Sequence, residues 1–161
     1  MRWICLLFIG CLCGCGFHLR GLVDMPTWLH QVAIINEGTD KALAPLLKAQ
    51  LNAYTIQVSP TPEAADYWLI LTQESFQQQI GGISSTTTPR QYQLIYTVDF
   101  TLNKKQGAEI IPPTHLTITR QITLNSNKIL GSNEEEALTQ QEMRREAVNQ
   151  LLNRLSRVPQ V

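Results

Sequence analysis

The four cysteine thiols are the most reactive groups in this 161-residue sequence, and all of them lie within its first fifteen residues. Cysteines can form disulfides or bind zinc, but both uses require the participating residues to be distributed through the folded domain. The 146 residues that follow Cys15 contain no further cysteine, and the sequence has only three histidines, at positions 18, 30 and 115. We therefore expect neither a disulfide framework nor a metal site.

The N-terminal segment resembles a bacterial export signal. A positively charged start, Met1-Arg2, precedes a nine-residue apolar stretch, residues 4–12, which is too short to cross a bilayer of about 30 Å as a helix. The stretch ends in Leu12-Cys13-Gly14-Cys15, which resembles the lipobox: an aliphatic residue, two small residues and the cysteine that receives the lipid. This resemblance implies that residues 1–14 are a signal peptide and that Cys15 is acylated. An ordinary signal peptide with coincidental cysteines is the alternative.

The residue after the lipidated cysteine bears on location. In the lipoprotein pattern an aspartate at this position retains the protein in the inner membrane, whereas this chain has Gly16. The resemblance therefore implies a lipid-anchored protein on the periplasmic side of the outer membrane. Two or three acyl chains give durable anchoring, where a single chain would be marginal. We expect residues 15–29 to form the lipidated N-terminus and a tether.

No enzyme motif is present: the sequence lacks G-x-S-x-G, H-E-x-x-H, a phosphate-binding loop and the Rossmann glycine set. The three consecutive glutamates, residues 134–136, are interpreted as the solvated first turn of a helix. Arg144 and Arg145 are interpreted as the exposed face of the same helix, and the histidines as structural or exposed. We predict a protein that is not an enzyme and binds no cofactor or metal.

Composition excludes two further classes. The sequence has 13 basic and 13 acidic side chains, so it lacks the positive field of a nucleic-acid-binding protein. Its hydrophobic content is 43%, which is too high for a disordered chain without net charge. Charge is replaced by uncharged polar residues, 15 Gln and 15 Thr, which suit the solvated faces of strands.

The first half of the mature chain predicts a β–α–β unit. Residues 31–36 form an apolar run typical of a buried strand. Leucines at 43, 46, 47 and 51 define one face of a helix, which should begin near Ala44 because Pro45 is tolerated only in a first turn. Residues 54–59 alternate as a second strand.

Three longer strands are predicted next, at residues 66–80, 91–103 and 115–125. In the first, Tyr67, Leu69 and Leu71 should face one way, and Trp68, Ile70 and Phe76 the other. The alternation of the second is clearest, with an apolar face of Tyr92, Leu94, Tyr96, Val98, Phe100 and Leu102. In the third, Arg120 is a charge on the inward face and should extend to solvent or pair. Residues 81–89 and 104–107 should be hairpin connections.

The last element predicted is a helix with a capping box at Ser132 and Glu135. Its packing stripe comprises Ala147, Val148, Leu151, Leu152 and Leu155. The element order predicts a single α+β domain over residues 30–158, built as a two-layer sandwich. Two helices pack on one face of a mostly antiparallel sheet.

One family resemblance covers essentially the whole mature chain. The hexapeptide Cys15-Gly16-Phe17-His18-Leu19-Arg20 resembles the mature start of the LPS-assembly lipoprotein LptE family. Further similarity lies in the strand at 32–35, in Gln50-Leu51, in Tyr92-Gln93-Leu94 and in Asn133-Glu134. The resemblance implies a lipoprotein that plugs LptD, a large outer-membrane β-barrel, helps to assemble it, and binds lipopolysaccharide on its way to the cell surface.

The resemblance also implies a ligand site made of basic residues, one before the central strand and one before the final helix. In this sequence those positions align with Ser85 and Gly131, and the nearest cations are Arg90 and Lys128. We therefore predict Arg90 and Lys128 as lipopolysaccharide-binding residues. An accessory binding lipoprotein of another cell-envelope transport system remains the alternative function.

Overall fold

The computed structural model describes residues 24–38, 40–82, 90–124 and 129–159. It contains five strands, two α-helices and one short 3₁₀ turn. In chain order these are β1 (Gln31–Asn36), α1 (Leu43–Ala53), β2 (Gln57–Ser59), the 3₁₀ turn (Pro62–Ala64), β3 (Tyr67–Gly82), β4 (Arg90–Lys104), β5 (Glu109–Leu124) and α2 (Ile129–Ser156).

The five strands form one sheet in the order β2-β1-β3-β4-β5. The short strand β1 pairs in parallel with β2 and with β3, whereas β3, β4 and β5 form an antiparallel meander. Most paired positions are antiparallel because the three meander strands are the long ones. The parallel pairing with β1 ends at Asn36 opposite Leu71, so the far half of β3 extends beyond it. The predicted α+β class and mostly antiparallel sheet are confirmed.

Both helices pack on one face of the sheet. In α1, Leu43, Leu47 and Leu51 recur every four residues and are fully buried, as the leucine spacing predicted. Pro45 is the third residue of α1, where its missing N–H costs no helical hydrogen bond. The helix ends at Ala53 and is capped by Tyr54, and Thr55 adopts a left-handed φ of 62°. The predicted strand over 54–59 is therefore wrong in its first half, because this turn occupies it and β2 starts only at Gln57.

The central strand β4 and the helix α2 supply most of the remaining core. Every second residue of β4 from Leu94 to Leu102 is 0% exposed, which confirms the predicted alternation. The predicted stripe of α2 is buried as well, and Met143 extends it toward the N-terminus. Arg120 has the inward parity of the edge strand β5, but its side chain is 49% exposed and pairs with Glu146 of α2, so it both extends to solvent and pairs. Among the described residues, none belongs to a helix that is both long and apolar enough to span a membrane.

A bulge in β3 changes which of its residues face the helices. The register with β4 shifts between Leu71 and Gln73, so one extra residue is inserted and the alternation reverses beyond it. Phe76 pairs with Tyr96 and contacts its ring at 5.7 Å between centroids. The prediction that Phe76 faces away from Leu69 and Leu71 is wrong, because the bulge places all three on the inward face.

Two further boundaries differ from the predictions. The helix α2 already includes Ile129, so the predicted capping box at Ser132 is wrong, and the three glutamates lie in its second turn rather than its first. The strand β5 begins at Glu109 rather than at residue 115 and contains Pro112 and Pro113. Both prolines are tolerated because β5 is an edge strand and because its register with β4 shifts opposite them, between Phe100 and Leu102. The predicted turn after Lys104 is confirmed by Gly107, whose φ is +88°.

Candidate functional sites

The three residues predicted to carry function are Cys15, Arg90 and Lys128, and the structure describes only Arg90. Cys15, His18, Lys128 and the loop at 84–88 lie outside the described residues. Arg90 is the first residue of β4, and its backbone pairs with Leu124, the last residue of β5. Leu124 precedes Lys128 by four residues in the sequence, so the backbone of Arg90 lies opposite a residue close to Lys128 along the chain. Ile129, the residue after Lys128, already belongs to the helix α2.

The face of the meander opposite the helices is polar and almost uncharged. Its cross-strand rows are Gln73–Asp99–His115, Ser75–Thr97–Thr117, Gln77–Ile95–Thr119 and Gln79–Gln93–Gln121. Ten of these twelve residues carry no ionisable group, and all twelve are exposed or half-buried. The hydroxyls of Ser75 and Thr97 form a hydrogen bond of 2.6 Å across the strands. We call this surface the polar sheet face. Its amides and hydroxyls can donate and accept hydrogen bonds across three strands.

One group on the polar sheet face resembles a catalytic arrangement. Asp99 contacts Nδ1 of His115, and the other ring nitrogen of His115 lies 2.9 Å from the Thr117 hydroxyl. A carboxylate, an imidazole and a hydroxyl in this order activate the nucleophile of hydrolases. Acyl transfer also needs N–H donors aimed at the developing oxyanion. In a strand the backbone N–H groups lie in the plane of the sheet and not above its face, so the group is interpreted as part of a hydrogen-bonding surface.

A second polar group is buried between the helices and the sheet, and the sequence did not predict it. It comprises Glu74, Tyr96 and Arg144, with Asp40 at its rim, where the Asp40 side chain is 37% exposed. We call it the buried polar cluster. The Glu74 side chain is 1% exposed; it accepts the Tyr96 hydroxyl at 2.6 Å and the backbone N–H of Leu43 at 3.3 Å. Arg144 of α2 lies 3.6 Å from Glu74 and 3.6 Å from Asp40, with its guanidinium 6.0 Å from the centre of the Tyr96 ring.

The buried polar cluster corrects the interpretation of Arg144. Its side chain is only 20% exposed, whereas Arg145 is exposed as expected. Burial raises the pKa of Tyr96 far above its ordinary value of 10.0, and the hydrogen bond to Glu74 and the charge of Glu74 raise it further. Tyr96 therefore stays a neutral donor to an anionic partner. In the sequence, the cluster was indicated only by the position of Arg144 beside the packing stripe of α2. The inward orientation of Glu74 could not be predicted, because the bulge in β3 reverses the alternation before it.

The buried polar cluster connects four parts of the fold. Glu74 belongs to β3, Tyr96 to β4 and Arg144 to α2, while the N–H of Leu43 is at the start of α1. A carboxylate at a helix N-terminus satisfies an otherwise unpaired N–H and interacts favourably with the helix dipole. The cluster therefore links both helices to the sheet. In the described ranges, no three histidine, cysteine or acidic residues are arranged to hold a metal ion.

Comparison with known proteins identifies relatives over most of the chain. A family model described as "LptE: Lipopolysaccharide-assembly" matches residues 29–155. A relative from Pectobacterium atrosepticum, named LPS-assembly lipoprotein LptE, is 25% identical over 143 residues, which are 88% of this chain and 77% of the relative.

Two solved structures share the fold. An uncharacterized lipoprotein B from Nitrosomonas europaea superposes with a TM-score of 0.73 at 22% identity, covering 88% of this chain and 90% of its own. A minor lipoprotein from Acinetobacter baumannii gives a TM-score of 0.69 at 22% identity, covering 84% of this chain and 98% of its own. Both confirm the two-layer arrangement.

Proposed function

Because the chain belongs to the LptE lipopolysaccharide-assembly family, we propose that it is a non-enzymatic outer-membrane lipoprotein that plugs and helps to assemble the LptD barrel. In this proposal it also binds lipopolysaccharide during transport to the cell surface. Its anchor is a set of fatty acyl chains on Cys15, exposed after removal of residues 1–14. Residues 15–29 tether the domain of residues 30–158 to the periplasmic side of the membrane.

The observation that carries the plug proposal is the polar sheet face. The interior of a large outer-membrane barrel is polar, so a protein that fills it needs hydrogen-bonding groups on its surface rather than an apolar patch. Moving an unpaired charge from water into the interface with the barrel would cost much free energy, and amides and hydroxyls avoid that cost because they are uncharged. Apart from Asp99 and His115, which pair with each other, the polar sheet face meets this requirement.

The lipopolysaccharide proposal depends on Arg90 and Lys128. Lipid A carries phosphates, and arginine and lysine are the side chains that bind phosphates through charge-assisted hydrogen bonds. The pairing of Arg90 with Leu124 supports a common location, because only three residues separate Leu124 from Lys128. In this proposal the two cations contact the phosphates of one glycolipid.

Purification from membranes tests the partner. The tagged, full-length protein is extracted in mild detergent, and the proteins that co-purify are identified. We expect a single heat-modifiable barrel protein of large mass in one-to-one ratio. Recovery of an inner-membrane ATPase instead would contradict the plug proposal and support an accessory lipoprotein of another envelope transport system.

A pair of variants tests whether the polar sheet face contacts the barrel. Thr119→Arg/Gln121→Arg adds two charges to that face. Gln141→Arg/Asn149→Arg adds the same charges to exposed positions of α2 and is the matched control. We expect the first variant alone to reduce the amount of barrel recovered. Equal recovery with both variants would show that the polar sheet face lies away from the barrel wall.

A further inference from the structure

The far half of β3 has a free edge. The strand β1 pairs with β3 only as far as Leu71, where the N–H of Glu37 donates the last hydrogen bond, at 2.9 Å to the Leu71 carbonyl. The Asn36 side chain then turns the chain away, accepting the Gly38 N–H and donating to the Asp40 carbonyl, each at 3.0 Å. Gly38 still lies against Gln73 and Glu74 of β3, since a Cβ added to it would lie 3.6 Å from the Gln73 Cα and 3.4 Å from the Glu74 nitrogen.

Beyond Glu74, residues 75–82 of β3 pair only with β4 among the described residues. We call this eight-residue segment the free edge. In an antiparallel pair, every second residue of an edge strand directs its N–H and C=O away from its neighbour. The free edge therefore presents a row of backbone donors and acceptors on its outer side.

The free edge lacks most of the features that normally prevent edge-to-edge pairing, and its one register shift, between Ile80 and Gly82, lies at its end. Proteins protect edge strands with charged side chains, prolines or coverage by another segment. The sequence of the free edge, SFQQQIGG, contains no charge and no proline. The opposite edge of the sheet, β5, carries Glu109, Pro112, Pro113 and Arg120. Protection of one edge and not the other indicates that the free edge is kept available for pairing.

The side chains of the free edge indicate what kind of strand fits. Ser75, Gln77 and Gln79 lie on the polar sheet face, whereas Phe76 and Ile80 point to the helix side, in register with Tyr96 and Tyr92. The helix α2 packs against β5 and β4. On the helix side of the free edge, Phe76 is half-buried against the core, whereas Gln78 and Ile80 are exposed among the described residues. Ile80 is 63% exposed, one of two large hydrophobic side chains so exposed among the described residues. An added strand with apolar residues at alternate positions would cover it.

We propose that the free edge binds an extended, uncharged segment of the partner barrel protein as a sixth strand of the sheet. This inference rests on the proposed function, which supplies the partner. Backbone hydrogen bonds along about eight residues give such pairing its affinity, and the alternating side chains give it specificity. The segment has apolar residues that lie beside Phe76 and Ile80, and polar residues that continue the polar sheet face.

Cross-linking within the purified complex tests the pairing. A photoreactive amino acid is placed at Gln77 and, separately, at Gln79, in the full-length protein expressed with its barrel partner. Because side chains on one face of a strand recur every two residues, the two probes should cross-link to one partner segment, at positions two residues apart. Matched probes at Thr119 and Gln121, in the same rows on β5, should not give this two-residue step.

The outcomes separate the two proposals. A complex that forms without cross-links from Gln77 and Gln79 overturns the strand addition and leaves the plug proposal intact. Cross-links between two copies of this chain also overturn it, because the free edge then pairs with itself. If no barrel co-purifies, the proposed function has failed, and the strand addition fails with it.

A charge substitution gives a second measurement. Ile80→Lys adds to the free edge the charge that natural edge strands use against pairing. Leu138→Lys is the matched control, because Leu138 on α2 is 58% exposed. We expect Ile80→Lys to raise the Kd of the complex at least about tenfold and Leu138→Lys to leave it unchanged, with both variants folded by circular dichroism. An unchanged Kd for Ile80→Lys would contradict the proposal.

Discussion

The Tyr96 hydroxyl donates a 2.6 Å hydrogen bond to the carboxylate of Glu74 in the interior of the protein, between neighbouring strands of the meander. Glu74 also accepts the N–H of Leu43 and faces Arg144, so one carboxylate connects the sheet to both helices. An unpaired charge at this depth would be strongly destabilising, so each partner of Glu74 contributes to the stability of the fold.

The first prediction concerns this hydrogen bond. Tyr96→Phe keeps the ring but removes the hydroxyl, so one oxygen of Glu74 loses its hydrogen-bond donor. Hydrogen bonds to charged groups contribute about 1.5–3 kcal/mol, and we expect the free energy of unfolding to fall by that amount. Urea denaturation of the unlipidated protein measures it.

The matched control for this substitution is Tyr67→Phe. Tyr67 is half-buried and contacts the Trp28 ring at a tilt of 54°, and its hydroxyl makes no hydrogen bond to another described residue. We expect it to change stability by less than about 0.5 kcal/mol. Equal effects of the two substitutions would show that the Glu74 contact contributes nothing specific.

The second prediction concerns alkaline pH. Burial, aided by Glu74, holds the pKa of Tyr96 in the folded protein far above its ordinary value of 10.0. A raised pKa means that the neutral form is favoured on folding, so this contribution to stability is complete below pH 10 and is lost as the pH rises above it. The loss should approach about 1.4 kcal/mol per pH unit.

Comparison of the native protein with Tyr96→Phe isolates this effect. The difference between their free energies of unfolding should be constant from pH 7 to 9 and should shrink above pH 10. Other groups titrate equally in both proteins and cancel. A difference that stays constant up to pH 11 would mean that Tyr96 ionises as readily when folded as when unfolded.

The third prediction concerns the anchor. Cys15→Ala removes the only sulfur that could carry the lipid in the predicted mature chain. The variant should lack acyl mass and appear in the soluble periplasmic fraction when the barrel partner is absent. Intact-mass measurement and membrane fractionation check this. A native protein whose mass shows no acyl chains on Cys15 would refute the lipoprotein assignment of this residue.

The fourth prediction concerns lipopolysaccharide. Arg90→Ala/Lys128→Ala removes the two predicted phosphate contacts and should lower the affinity for lipopolysaccharide at least about tenfold at low salt. The contribution of these charges should weaken as the salt concentration rises. Binding of purified lipopolysaccharide to each variant measures the effect, with folding checked by circular dichroism.

A control for the loss of positive charge is Arg154→Ala/Arg157→Ala, two exposed arginines at the other end of α2. This variant loses the same net charge and should bind as the native protein does. If both double variants lose affinity equally, binding reflects net charge. If neither does, the ligand is held elsewhere, and Arg145 is the next cation to substitute.

The sequence by itself determined the class of the fold and most of its elements. The alternation of β4 and the apolar stripe of α2 are patterns of neighbouring residues in the sequence. A strand or helix needs such a pattern to bury one face, so both elements could be predicted without the structure. The leucine spacing located α1 in the same way. The hexapeptide after the lipobox identified the family, which the match over residues 29–155 confirms.

Only the tertiary structure decided the orientation of Glu74, the burial of Arg144 and the free edge of β3. The bulge between Leu71 and Gln73 reverses the two-residue period of β3, and a bulge is defined by the partner strand rather than by the residues that form it. Arg144 is buried because Glu74, 70 residues earlier, faces it across the core. The free edge exists because β1 ends opposite Leu71 while β3 continues to Gly82. The sequence does not show which residues of β1 and β3 pair, so it could not show how far β3 extends beyond β1.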